Sequence, residues 1–217
     1  MRVVAIDGPS GSGKSTVARA LAEALDLEAL DTGAMYRAVT VALLDTGADV
    51  ADPARAAEVA AEMDLTTGPQ VVLDGRDVTR EIRGPKVTAA VSTVAAHPEV
   101  RTLLVARQRA WAAERGGGVV EGRDIGTVVF PDAQLKIYLT ASEDERAERR
   151  RRDDHDLKAS GELADVKASM RRRDDIDSTR ATSPLQAADD AVVIDTTGRD
   201  PDDVVAEVLA ESRKVFG

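Results

Sequence analysis

The 217-residue sequence predicts an α/β fold: a parallel sheet flanked by helices, with a small antiparallel β insert and a helical lid. Short apolar runs alternate with segments of helical period along the chain, the pattern of parallel strands joined by crossover helices. Asp74-Gly75 sits between two extended runs, which is hairpin chemistry and not that of a crossover. The stretch from 149 to 175 is dense in Arg and Asp and lacks a clear apolar stripe, so it reads as mobile helices or a flap outside the core.

Val3-Val4-Ala5-Ile6 runs into a Gly-rich turn and reads as a buried strand. Val17, Leu21 and Leu25 recur every four residues and give the first helix. Leu27 to Leu30 follows as a second strand, and Ala34 to Leu44 as a second helix. In the antiparallel insert over 65–79, Val71-Val72-Leu73 and Arg76 to Thr79 flank the Asp-Gly turn. Glu99 to Arg115 places Val100, Leu103, Leu104 and Trp111 on one helical face. Gly118-Val119-Val120 and Leu135 to Leu139 are further core strands, and Ser142 with Glu145 three residues later forms a capping box for the next helix. Ala191 to Ile194 is the last strand. Asp200 as N-cap and Pro201 at the first helical position then open a helix bearing Val204, Val205, Val208 and Leu209.

Composition narrows the function. Apolar residues make up 43% and charged residues 31%, enough for a core and unlike a disordered chain. Two Phe, two Tyr and one Trp are too few for a base-stacking platform. Without cysteine there is no disulfide, thiolate metal site or Cys nucleophile, and His97 and His155 alone do not make a zinc site. The net charge of −10 argues against a nucleic-acid backbone or an anionic membrane as partner. No apolar run reaches membrane length and no secretory signal opens the chain, so a cytoplasmic protein is expected. Within this acidic chain the segment 146–180 is net positive by two. Such arginine clusters are often surface charge, but they also suit small, highly charged anions.

Gly8-Pro9-Ser10-Gly11-Ser12-Gly13-Lys14-Ser15 fits G-x-x-x-x-G-K-[ST] between a strand and a helix, where the alternative is a Gly-rich turn with no ligand. In a phosphate-binding loop, backbone N–H groups and the helix dipole cradle the phosphates, Lys14 reaches the β- and γ-phosphates, and the Ser15 hydroxyl ligates Mg²⁺. Asp31 to Arg37 and Glu121-Gly122-Arg123-Asp124 leave two further strands at the same carboxyl edge, where α/β sheets bind ligands. Arg149 to Arg152 and Arg171 to Arg173 flank the flap. Transfer between two phosphates needs such a set: cations to offset repulsion and a flap to exclude water. A phosphate acceptor is largely ionised at neutral pH and needs no general base, which fits the lack of a base motif.

These segments, with Val91 to Ala95, Pro98 to Arg101, Gly122 to Ala133 and Arg173 to Arg180, resemble the bacterial cytidylate kinases, within the nucleoside monophosphate kinase family of P-loop kinases, from Ile6 to about Thr197. The resemblance implies the P-loop nucleoside monophosphate kinase fold as a single domain: a core over 1–40, 100–145 and 181–217, a monophosphate-binding insert over about 41–99, and a lid over about 146–180. It implies transfer of the ATP γ-phosphoryl to CMP or dCMP. A monomer is expected, and Mg²⁺ follows from the phosphate-binding-loop chemistry of Ser15 rather than from the resemblance. ATP is then expected at Gly8 to Thr16, that is Gly8, Pro9, Ser10, Gly11, Ser12, Gly13, Lys14, Ser15 and Thr16. Ser92, Arg101 and Asp124 are expected at the cytosine edge, and Arg37, Arg123 and Arg180 at the CMP phosphate. Thr32, Arg173 and Asp177 fall near phosphate and sugar, while Arg149 and Arg150 approach the ATP phosphates from the lid. Lys14, Arg123, Arg149 and Arg150 form the expected catalytic set, with Ser15 on the metal and Glu121 a further candidate through water. The rivals are a P-loop kinase for UMP, AMP or a small metabolite, and a nucleotide-switched binding protein.

Overall fold

The computed structural model of the chain describes residues 1–156 and 162–217. The chain runs β1 (Arg2–Asp7), α1 (Lys14–Ala24), β2 (Ala29–Asp31), α2 (Thr32–Asp45), α3 (Pro53–Glu62), β3 (Leu65–Thr66), β4 (Val72–Leu73), β5 (Arg76–Asp77), α4 (Pro85–Val94), α5 (Pro98–Glu114), β6 (Gly117–Gly122), β7 (Leu135–Thr140), α6 (Glu143–Asp156), α7 (Leu163–Thr179), β8 (Val192–Asp195) and α8 (Pro201–Phe216). A 3₁₀ turn, Glu81–Arg83, precedes α4, and a π-helical turn, Ile125–Val129, follows β6.

The main sheet has five strands in the order β2-β6-β1-β7-β8, and each neighbouring pair is parallel. β1 is therefore central, and the loop after it opens at the middle of the carboxyl edge. Alternate residues of β1 feed two cores. Val3 and Ala5 pack with α2 to α5 on one face, while Val4 and Ile6 pack with α1 and α8 on the other. β3, β4 and β5 form the separate antiparallel sheet, with Leu73 opposite Arg76 across the Asp74-Gly75 turn. Asp74 and Gly75 both have positive φ, 48° and 78°, as a turn of the primed type requires.

The parallel sheet, hairpin insert and helical flap agree with the sequence reading, while several details differ. Strand β2 is Ala29–Asp31, because Leu27 still belongs to the turn that closes α1. The sequence reading passed over α3, which buries Ala56, Val59 and Ala60, and α4, which buries Val87, Val91 and Val94 at helical spacing. The capping box is half formed: the Ser142 hydroxyl accepts from the Glu145 N–H at 3.3 Å, and the Glu145 carboxylate turns instead to Arg149. The flap does carry a thin apolar seam, Ala147, Val166 and Met170, that pairs α6 with α7. The part of the expected lid at 157–161 lies outside the described residues, as does the side chain of His155.

Candidate active site

β1 delivers the phosphate-binding loop. A Cβ on Gly8 (φ +147°) would stand 2.1 Å from the Leu139 carbonyl oxygen, so only glycine lets the loop pass β7 so closely. Gly13, at φ +94°, turns the chain into α1. Lys14 is 7% exposed, and its Nζ donates to the Pro9 carbonyl at 2.8 Å. Burial, followed by the nearby Arg123, lowers its pKa to about 7, against the pull of Glu121 and Asp31. The Ser15 hydroxyl donates to Glu121 Oε2 at 3.0 Å. Burial and then the Asp31 carboxylate raise Glu121 to about 7. An exposed hydroxyl bonded to a buried carboxylate, beside a second acid, is a hard-oxygen environment that suits a divalent cation keeping several waters. Among the described residues no group of three or more His, Cys, Asp or Glu gathers as an all-protein metal cage.

The facing wall comes from α2, the insert and the end of β6. Asp31 caps α2 by accepting from the Ala34 N–H at 3.1 Å, which aims Tyr36 and Arg37 into the cleft. Arg37 Nη1 donates to Ile82 O (2.7 Å) and Thr88 Oγ1 (3.0 Å), tying α2 to the insert. Burial lowers its pKa well below the ordinary value, and Arg173 and Arg150 add to the shift. After β6, Arg123 bridges two regions: Nε donates to Asp177 Oδ2 at 3.0 Å and Nη1 to Gly8 O at 3.0 Å. Next in sequence, Asp124 pairs with Arg101, and both side chains are almost fully buried. The Arg101 guanidinium carbon stands 5.5 Å from the Tyr36 ring centroid. Burial raises the Asp124 carboxyl, while Arg101 and Arg180 pull it back.

The α6–α7 pair closes over this space. Arg149 holds Thr196 through Oγ1 (2.8 Å) and the carbonyl oxygen (2.7 Å) and reaches Glu145 at 3.0 Å. Arg146 pairs with Asp174 and donates to Ser10 O at 3.1 Å, and Asp174 accepts from the Ser10 N–H at 3.4 Å. Both helices therefore rest on the phosphate-binding loop. Burial, and next Arg123, lowers Arg173 to about 10, and burial first also lowers Arg180. Arg173 Nε and Arg180 Nη2 are buried polar atoms with no hydrogen-bond partner. These donors need a partner that the protein itself does not supply.

One cleft of about 480 Å³ collects these groups. Ser10 to Thr16, Thr32, Arg37, Ser92, Arg101, Arg123, Asp124, Arg149, Arg150, Arg173, Asp177 and Arg180 all line it. Gly8 and Pro9 do not line it; their carbonyls instead hold Arg123 and Lys14. Sequence reading missed Tyr36, Arg83, Thr196 and Arg199, which share the lining. Tyr36 lay inside a quoted motif and was legible there. Thr196 and Arg199 follow a strand by a short loop and carry no motif of their own.

The cytidylate kinase family model matches residues 4–214. A cytidylate kinase of Rhodococcus jostii (strain RHA1) is 53% identical over 95% of this chain and 93% of its own length. One from Nocardia farcinica (strain IFM 10152) is 53% identical over 95% of this chain and 91% of its own. A solved gluconokinase from Sinorhizobium meliloti 1021 shares the fold at TM-score 0.53 and 16% identity, covering 99% of this chain and 93% of that one. With half of its residues shared with these relatives along nearly its whole length, the chain belongs to the cytidylate kinase family.

Proposed function

We propose that the protein transfers the γ-phosphoryl of ATP to CMP or dCMP, giving ADP and CDP or dCDP. The observation that carries this is the lining of the cleft. The phosphate-binding loop and the buried Arg101–Asp124 pair line the same cleft, together with Arg37, Arg123, Arg173 and Arg180. A switch with one nucleotide site has no use for the second set of groups.

ATP belongs on Gly8 to Thr16, with Lys14 on the β- and γ-phosphates. Lys14 is already dehydrated, so its charge strengthens as phosphate arrives. Ser15, with Glu121 beside it, would hold Mg²⁺, which would neutralise developing phosphate charge there. Arg37, Arg123 and Arg180 take the acceptor phosphate, and Thr32, Arg173 and Asp177 the phosphate–sugar junction. Ser92, Arg101 and Asp124 read the base: cytosine offers an amino donor beside acceptors, matching a carboxylate and a guanidinium. Lys14, Arg123, Arg149 and Arg150 stabilise the transferring group. An acceptor phosphate oxygen attacks the γ-phosphorus as the bond to ADP breaks, and the ionised acceptor needs no base.

The same reading divides the chain into a core (1–40, 100–145, 181–217), an insert (about 41–99) and a lid (about 146–180). It describes a cytoplasmic monomer acting on small nucleotides and not on nucleic acid, which the net charge of −10 supports. No helix among the described residues is long and apolar enough to cross a membrane. A coupled ADP-release assay with CMP, dCMP, UMP, AMP or no acceptor is the experiment. ADP release that depends on CMP and dCMP is expected; equal release without acceptor, or a preference for AMP, overturns the assignment.

A further inference from the structure

We propose that Asp7 and Arg109 are positioning residues for the acceptor: together they clamp the π-helical turn Ile125–Val129 and so fix Arg123 and Asp124, which precede it. This rests on the acceptor reading above.

The turn is an unusual support. A π turn has poor hydrogen-bond geometry and persists where its surroundings hold it. Within it the Asp124 carbonyl accepts from the N–H groups of Val128 (2.9 Å) and Val129 (3.2 Å), and Phe130 N–H donates to Ile125 O at 2.7 Å. Its first N–H groups and last carbonyls need outside partners, and both ends receive a charged one. At the start, the buried Asp7 carboxylate accepts from Ile125 N–H through Oδ1 (2.8 Å) and from Gly126 N–H through Oδ2 (2.7 Å). At the end, Arg109 donates from Nε to Val129 O (2.9 Å) and from Nη2 to Val128 O (2.9 Å). An anion at the N-terminal end and a cation at the C-terminal end match the local dipole.

Neither residue lines the cleft, so neither touches a nucleotide directly. The base-reading residue Asp124 nonetheless immediately precedes the turn they hold. α5 holds Asp124 twice, directly through Arg101 and through the turn by way of Arg109. Asp7 joins this to the phosphate-binding loop, since it immediately precedes Gly8 at the end of β1. A shift of this turn would move the acceptor phosphate ligand and the base reader together and leave Lys14 in place.

The clean variant is Arg109→Met, because the side chain lies on an exposed face of α5 and the stem is retained. KM for CMP should rise about tenfold and the CMP-to-UMP ratio of kcat/KM should fall by a similar factor, the loss expected for two charge-assisted hydrogen bonds acting through a neighbour. KM for ATP and the thermal midpoint should stay near wild type. Arg109→Lys, with one donor on the same carbonyls, should recover part of both losses. Asp7→Asn, which turns an NH₂ toward a backbone N–H, should reproduce the CMP effect if Arg109→Met does not fold. Equal losses for CMP and UMP, or a loss in kcat alone with both KM values unchanged, overturns the clamp. Failure of the acceptor reading shows elsewhere, as absent CMP-dependent ADP release in the wild-type enzyme.

Discussion

Asp124→Asn tests base recognition most directly, because the residue is paired with Arg101 and, in the proposed reading, faces the base. Its carboxylate pairs with Arg101, and the two side chains are 7% and 5% exposed. Breaking one half of a buried ion pair costs about 3–5 kcal/mol, and the amide oxygen that remains can still accept, so roughly 2–3 kcal/mol is expected here. For a chain of this length that lowers the thermal midpoint by about 5–10 °C, so kinetics should be read well below it. Recognition is a separate quantity. UMP places a carbonyl where CMP has its amino group and an N–H where CMP has an acceptor. The Asp124 carboxylate and the Arg101 guanidinium then each meet a mismatch worth about 1–3 kcal/mol. Two such conflicts give wild type a preference for CMP of about a hundredfold or more in kcat/KM. Asn can donate to the uracil carbonyl, which removes one conflict and should shrink the preference by about tenfold. The assay is ADP release with CMP and UMP in both enzymes, beside a melting curve for each. If Asn lowers both values equally and leaves their ratio untouched, Asp124 does not face the base and Ser92 and Arg101 must carry the discrimination.

Lys14→Ala should reduce kcat by about a thousandfold or more, since a cation on the transferring phosphoryl is lost. Its melting point should not fall, because a dehydrated ammonium leaves the fold; near wild-type turnover would remove Lys14 from the phosphate site. Arg180→Ala should raise KM for CMP while ATP affinity measured alone by titration calorimetry holds. A matching loss of ATP affinity would place Arg180 on the donor side. Burial lifts the Asp7 carboxyl from 3.8 to about 6. A raised folded-state value stabilises fully below about pH 4 and is lost as pH climbs through about 6, a difference of about 3 kcal/mol. Urea unfolding of wild type and Asp7→Asn from pH 4 to 7 should therefore show the wild-type advantage shrinking as pH rises, and a pH-independent difference would mean that its two N–H partners cancel the burial cost.

Much of the fold was legible because its core elements each carry their own periodic signal. β1 alternates Val3 and Ala5 against Val4 and Ile6 between two cores, and a continuous apolar run is what a strand covered on both faces requires. The phosphate-binding loop and the Asp-Gly hairpin were legible because their backbone angles admit few residues. α3 and α4 were missed although both carry a helical signal: α3 buries Ala56, Val59 and Ala60 along one stripe, and α4 buries Val87, Val91 and Val94 at helical spacing. At the site, residues inside motifs could be read, but their partners could not. Nothing in sequence links Arg123 to Asp177, 54 positions away, or Arg146 to Ser10, 136 positions away. The roles of Asp7 and Arg109 were hidden for a related reason. Both act through the backbone of a turn whose π form has no sequence signature.

The electrostatics of the cleft explain why so many of its arginines are held by carbonyls as well as by carboxylates. Arg37, Arg173 and Arg180 have lowered pKa values chiefly through burial, and neighbouring arginines add to each shift. Folding alone gives little reason to gather these cations, because Asp177 and Asp124 are already paired with Arg123 and Arg101. In the proposed reading the missing negative charge is the acceptor phosphate. Without it the arginines repel one another. α7, which brings both Arg173 and Asp177, is held by the seam of Val166 and Met170, the Arg146–Asp174 pair on Ser10, the Arg123–Asp177 pair, and the Lys167–Asp144 and Arg171–Glu143 pairs to α6. With it, Coulomb terms that opposed closure favour it, and they grow as water leaves. The same charges then serve twice. In that reading they hold the acceptor phosphate, and, once offset by it, they stabilise the α6–α7 pair that already rests on the phosphate-binding loop.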